Sequence, residues 1–248
     1  MDTSLDTLAR REFLRSNWNI DTGSTDQARK VPAPPQEKPF DGNGTLIDLV
    51  PPEAWTISGP SLVRSILSRQ SRRKFADREI SLEELSFLLY ATQGVRKRSA
   101  AYSFRTVPSG GARHPLETYV FASRVADAPK GLYRYLPLEH RLFLERSFRE
   151  GMAEELDAAL NGQLWNAAAY LVWTAVPYRT EWRYAEASAK LVALDAGHAC
   201  ENLYLACEAV GCGTCGIGAY LQEPMDAFLG VDGKDEFAIY AAPLGKVE

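Results

Sequence analysis

Two spacings organise the apolar residues of this 248-residue chain. Leu82, Leu85, Leu88 and Leu89 recur at helical spacing behind Ser81 and Glu84, a capping-box pair, with Ile80 placed to staple onto Leu85 and Gly94 as the stop. Leu62, Val63, Ile66 and Leu67 put an apolar face on a shorter helix that begins after Ser61. A helical pattern runs over 180–210, and its second half lines Ala196, Ala199 or Cys200, Leu203, Cys207 and Val210 along one seam. With Ala196 and Gly197 beside that seam, the helix can meet another backbone closely, as a central or dimer-forming helix does. Shorter helices are expected over 152–160 and over 223–229, the latter with Pro224 at its first position. Strand patterns fall at 117–123, 131–136, 140–144, 168–176, within 213–220, and at 236–243. The strands and helices do not alternate as βαβ units. The pattern therefore predicts an α+β fold and excludes a doubly wound parallel sheet.

Residues 1–60 differ from the rest. Pro32, Pro34, Pro35, Pro39, Pro51, Pro52 and Pro60 make them an extended arm, whose Phe40, Leu46, Ile47, Leu49 and Trp55 need a surface to dock on, in the same chain or a partner. A single domain is expected over 61–248. The 28 basic and 32 acidic residues leave a net charge of -4, so nothing points to nucleic acid or anionic lipid. Arg10 and Arg11 resemble the start of a twin-arginine signal, but the polar residues Ser16 to Ser24 follow instead of an apolar run. The longest apolar run, 167–176, is strand length, so the expectation is a cytoplasmic protein with no membrane span. Cys200, Cys207, Cys212 and Cys215 lack the second ligand pair of a zinc site and the strand-to-helix setting of a redox Cys-x-x-Cys, and read as small packed thiols.

Three stretches carry candidate chemistry. Arg69 to Phe75 sets four cations and the Ser71 hydroxyl just past a short helix; this set suits a phosphate, though alone it reads better as a solvated helix end. Arg105 to Glu117 joins Pro108, Ser109, Gly110 and Gly111 to Arg113 and His114 immediately before a strand. Gly211 to Tyr220 carries four glycines that let main-chain N–H groups approach a flat ligand edge. Those glycines close a helix and lead into strand, the reverse of a dinucleotide fingerprint. Of the three histidines only His114 sits among other candidates and can act as acid, base or donor; His140 falls in a hairpin turn facing solvent, and His198 in the small-residue seam as an interior or interface side chain. Hydrolase elbows and zincin motifs are missing from the sequence.

In this order the three stretches resemble the nitroreductase-like family of FMN oxidoreductases from about Ser61 onward, with Arg69, Ser71 and Arg73 at that family's phosphate grip. The run Pro108 to Glu117 and the run Asp195 to Ala206 are similar to its SagB-type branch, which includes azoline dehydrogenases acting on modified peptides. The resemblance implies a mostly antiparallel central sheet flanked by helices and a homodimer that builds each FMN site between two subunits. It also implies ring contacts from Pro108, Ser109, Gly110 and Arg113 and N5 contacts from Cys215, Gly216, Ile217 and Gly218; Lys246 is a weaker phosphate candidate, read first as a solvated side chain. Azoline dehydrogenases of that branch tend to carry Lys-Tyr where this chain has Arg183-Tyr184, and Arg does not readily become a neutral base. Tyr184 or His114 is then the expected proton relay, with Arg183 beside it. The implied reaction is hydride transfer between flavin N5 and a small molecule or modified peptide. The alternatives are an NAD(P)H-dependent nitro or quinone reductase, or a non-catalytic flavin-binding subunit of a peptide-modifying complex.

Overall fold

The structure, a computed structural model, describes residues 11, 14–16, 24–40, 42–99 and 102–248. Most of the Arg10 to Ser24 stretch read above for a signal lies outside them. Among the described residues seven strands form one antiparallel sheet in the order β1-β6-β5-β4-β7-β9-β8. They are β1 (Leu46–Asp48), β4 (Leu116–Ala122), β5 (Gly131–Leu136), β6 (Arg141–Ser147), β7 (Ala169–Ala175), β8 (Cys212–Thr214) and β9 (Phe237–Lys246). A separate hairpin joins β2 (Val95–Arg98) to β3 (Ser103–Arg105). It escaped the sequence reading because Val-Arg-Lys-Arg has no apolar alternation.

Both faces of the sheet are covered. In β4 and β7 the residues Leu116, Val120, Leu171 and Trp173 pack under α2 (Leu82–Gln93) and α5 (Ser188–Ala209), while Tyr119, Phe121, Tyr170 and Val172 pack under α3 (Met152–Ala159) and α6 (Gln222–Leu229). Double coverage explains why 168–176 reads as an unbroken apolar run, the pattern of a strand buried on two sides. The α2 capping box forms as expected, Glu84 N–H to Ser81 Oγ at 3.1 Å and Ser81 N–H to Glu84 Oε2 at 2.8 Å. Such a cap contributes about 1 kcal/mol, less than burying the helix's leucines at roughly 1.5–3 kcal/mol each.

Four expectations change. The pattern over 180–210 is not one helix: α4 (Tyr178–Tyr184) stops at Ala185, whose φ of 45° is left-handed. The Trp182 carbonyl, which a continuous helix would use, instead accepts the Gln27 N–H of the arm at 2.9 Å, and no Gly or Pro marks the place in sequence. In α6, Pro224 is the third residue, not the first; its missing N–H still falls among the unpaired donors of the first turn. His140 does not face solvent: its Nε2–H donates to the Val50 carbonyl at 3.1 Å and its Nδ1 accepts from Tyr135 at 2.8 Å, which ties the arm to the hairpin. His198 is exposed on the outer face of α5 with Leu194 and Gly197, because the buried seam of Ala196, Ala199, Cys200 and Leu203 faces the sheet.

The arm docks on its own chain. Trp182 Nε1–H holds the Val31 carbonyl at 2.9 Å, Lys38 N–H reaches Glu117 at 2.6 Å, and Leu46 pairs with Phe143 to add β1 as the edge strand. By contrast α1 (Leu62–Ser68) leaves its apolar face uncovered, with Leu62, Val63, Ile66 and Leu67 between 58% and 75% exposed. Among the described residues no helix is long and apolar enough to cross a membrane.

Candidate functional site

The cationic stretch is assembled by one tyrosine. Arg69 caps the C-terminus of α1, and its guanidinium lies 5.3 Å over the ring of Tyr204 on α5. Ser71 Oγ stands 3.0 Å from the Tyr204 hydroxyl, which also accepts the Gly216 N–H at 2.7 Å. A single hydroxyl thus joins the Arg-Ser-Arg stretch to the glycine turn. Arg72 N–H bonds the Thr214 carbonyl at 2.8 Å and Arg73 lies 5.7 Å over the Trp165 ring. A cavity of about 330 Å³ opens here, lined by residues 71–75 with Val247 and Glu248. Arg69, Arg72, Arg73 and Lys74 form no ion pair among the described residues. Three unneutralised cations, Arg72, Arg73 and Lys74, line the hollow with the Ser71 hydroxyl, and Arg69 stands over Tyr204 next to them, a set that fits a phosphate ester.

Lys246 stands apart from this group. Its ammonium is paired with Glu84 and donates to the Val210 carbonyl at 2.8 Å, so it is neither solvated nor directed at the hollow.

The glycine turn is shaped for contact through its backbone. Ile217 exchanges hydrogen bonds of 2.7 and 3.1 Å with Ala241, which holds the turn on β9, and a Cβ on Gly216 would collide with the Tyr240 hydroxyl. Gly218 has open space around it. Cys200, Cys207, Cys212 and Cys215 are all buried free thiols, and burial pushes Cys200 and Cys212 up to about 12, far from the thiolate form.

The loop after β3 is pinned at several points. Gly110 N–H points to Asp195 Oδ1 of α5 at 3.4 Å, and Ser109 Oγ accepts the His114 N–H at 2.9 Å. Gly111 has φ 59°, and any Cβ there would strike the Tyr184 hydroxyl, so the position requires glycine for conformation and for space. Ala112 and His114 are also left-handed, at 54° and 47°, a strain of order 1 kcal/mol each that the surrounding bonds offset. Arg183 and Tyr184 close α4 directly against this loop, with the guanidinium 5.5 Å from the tyrosine ring. A second cavity, of about 520 Å³, lies between the loop, Arg183 and the β2–β3 hairpin.

Two loop residues turn inward. His114 is buried and its Nε2 lies 3.1 Å from the Ser103 carbonyl, which fixes the proton on Nε2. Burial and the Arg105 guanidinium push its pKa down to about 3, so at neutral pH the ring is neutral and its one N–H is held by the Ser103 carbonyl. The Arg113 Nε–H donates to the Arg179 carbonyl at 3.0 Å, and its guanidinium lies 4.8 Å over Trp182. Arg113 braces the loop against α4 and His114 braces it against β3. Tyr184 stands against the loop at Gly111, with Arg183 beside it.

Asp195 and Tyr204, the two helix residues that position these walls, stand nine places apart on α5, about 13 Å at the helical rise. Their importance was hidden in sequence because each sits within an ordinary helical pattern. The two cavities share no lining residue. Within one chain the phosphate hollow and the loop are neighbours on a helix and not one pocket.

Comparison with known proteins follows these features. The model of the Nitroreductase family matches residues 66–246. A protein of Methanocaldococcus jannaschii named "Putative nitroreductase MJ1384" is 31% identical over 183 residues, 73% of this chain and 88% of that protein. A crystal structure of a Ralstonia eutropha protein named in the same way superposes with a TM-score of 0.67 at 26% identity, over 88% of this chain and 93% of that one. The Escherichia coli microcin synthetase McbBCD complex with truncated pro-MccB17 contains a chain that matches at TM-score 0.62 and 16% identity, over 99% of this chain and 95% of that one, a likeness of fold.

Proposed function

We propose, from the premise that this chain belongs to the nitroreductase family, that it binds FMN between two copies of itself and moves a hydride between flavin N5 and a small molecule or modified peptide. It is an oxidoreductase, and its family generally uses flavin. The observation that carries the proposal is the Tyr204 hydroxyl, which holds Ser71 and the Gly216 N–H together beside four unneutralised cations. Arg69, Ser71 and Arg73 hold the phosphate, Pro108, Ser109 and Gly110 support the ring, and the backbone from Cys215 through Ile217 to Gly218 addresses its N5 edge. When bound, FMN supplies the two-electron acceptor or donor, which is why the chain needs no metal and no strong nucleophile. Tyr184 carries the proton at the substrate, and Arg183 keeps positive charge beside it.

The separation of the walls supports the dimer. A second copy that covers the exposed apolar face of α1 and the outer face of α5 brings its own loop to the first copy's glycine turn. Exposure of Leu62, Val63, Ile66 and Leu67 supports this arrangement. The SagB-type branch is favoured within the family by the loop from Pro108 to Glu117. The second reading, an NAD(P)H-dependent nitro or quinone reductase, is favoured by the name of the archaeal relative.

Purified protein is expected to be yellow or to become so with FMN, and Arg69→Ala should weaken FMN binding by roughly tenfold or more, the worth of one charge-assisted contact. Unchanged affinity would refute the phosphate assignment. Anaerobic NADPH or NADH separates the two readings: rapid bleaching of the yellow protein supports the reductase, and persistent colour supports the dehydrogenase.

A further inference from the structure

The 520 Å³ cavity over the loop shares Pro108 and Ser109 with the proposed flavin contacts and adds a chemistry that those contacts do not use. Its lining includes Arg96, Arg105 and Arg183 and no carboxylate, and its one histidine, His114, is neutral. Among the described residues Arg96 spends only its Nε–H, on the Arg105 carbonyl at 3.0 Å, which leaves both of its terminal nitrogens to donate. Arg105 is 2% exposed; its two terminal nitrogens are held at 2.8 Å by Gln93 and the Gln36 carbonyl, and its Nε–H is buried with no acceptor among the described residues. A buried donor without a partner costs stability unless something fills the place. The outer wall is aromatic: Tyr102 and Phe104 sit edge to face at 5.2 Å, each more than 40% exposed on the β2–β3 hairpin. Exposed rings beside uncompensated guanidinium groups are suited to a flat anion, because the rings stack its plane and arginine forks grip its oxygens.

We infer that this cavity is the substrate subsite of the flavin centre and selects a planar carboxylate. The inference rests on the flavin reading for its role in turnover, and not for the binding itself. Its volume lies within the range of small-ligand sites. Arg96 and Arg183 grip the carboxylate, and Tyr102 with Phe104 covers the ring, which leaves the far end of the molecule beside Tyr184.

The probes are 4-nitrobenzoate and 4-nitrobenzamide, equal in shape and different in charge. Equilibrium binding to the full chain saturated with FMN should favour the carboxylate by about tenfold or more, and the preference should shrink with added salt. Arg96→Gln and Arg183→Gln should each bring the ratio near one, whereas Arg96→Lys should keep part of it. A ratio within twofold in the wild-type protein overturns the inference, as does a preference that survives both glutamine variants. Release of FMN by 4-nitrobenzoate overturns it too, since the cavity would then belong to the flavin. The same titration without FMN separates the two claims: a protein that never binds FMN yet prefers the carboxylate loses the flavin reading alone, and a yellow protein with no preference loses this one alone.

Discussion

Removing a single oxygen from Tyr204 tests how the two walls of the site are joined. Tyr204→Phe keeps the ring and therefore the Arg69 guanidinium stacked 5.3 Å above it. What disappears is the acceptor for the Gly216 N–H at 2.7 Å and the partner of Ser71 at 3.0 Å. A net hydrogen bond contributes about 1 kcal/mol, and an N–H left without an acceptor adds to the loss, so the expected cost is about 2 kcal/mol. For a domain of this size that corresponds to a fall of roughly 4–8 °C in the melting temperature. The glycine turn and Ser71 then lose their fixed relation, and FMN affinity should drop by about tenfold. Circular dichroism melts and titration of FMN fluorescence read the two effects separately. Ser71→Ala, which leaves the Gly216 bond in place, should cost less, and the double variant should fall short of the sum by about 0.5 kcal/mol or more because both changes break one shared contact. A melting temperature within about 1 °C of wild type together with an FMN Kd within twofold would refute the reasoning.

Glu117→Gln removes the charge from a buried node: Glu117 and Arg179 are 1% and 3% exposed, and the same carboxylate takes the Lys38 N–H at 2.6 Å and lies 3.9 Å from Arg134. Arg134 keeps Glu145 at 2.7 Å, but leaving the buried Arg179 uncompensated should cost about 3 kcal/mol or more in urea unfolding, and a loss below about 1 kcal/mol counts against the node. Gly111→Ala should lower stability and turnover together by pushing Tyr184 away, and a crystal structure with the loop unmoved argues otherwise. Burial, together with the hydrogen bond that its protonated carboxyl donates to Glu139, raises Glu37 to about 8. Since the folded pKa exceeds the ordinary value of 4.5, its contribution is complete below pH 4.5 and is lost as pH rises to about 8, at up to about 1.4 kcal/mol per pH unit. Melting temperatures from pH 5 to 8.5 should therefore decline less in Glu37→Gln than in wild type, and parallel curves would contradict that origin.

Much of the fold could be read along the chain. The capping box at Ser81 and Glu84, the hairpin strands on either side of residues 137–139, and the doubly buried run at 168–176 are local patterns whose period states the element and whose end residues state its limits. The three site stretches were legible for the same reason, since cations, glycines and prolines in short runs carry their chemistry with them. What the chain alone could not convey is which side chains remain available. His114 is an ordinary imidazole until burial beside Arg105 removes its charge, and Arg113 is an available cation until Trp182 and the Arg179 carbonyl take it up. Lys246 resembles a phosphate contact until Glu84, 162 residues away in sequence, neutralises it. The break at Ala185 and the exposure of α1 have the same origin, for both depend on what the arm covers and what it leaves bare. Sequence determined the elements and the kinds of chemistry in each, because propensity, capping and periodicity act over a few residues. Only the tertiary structure decided the assignments within the site, because desolvation and pairing are set by neighbours that the sequence keeps far apart.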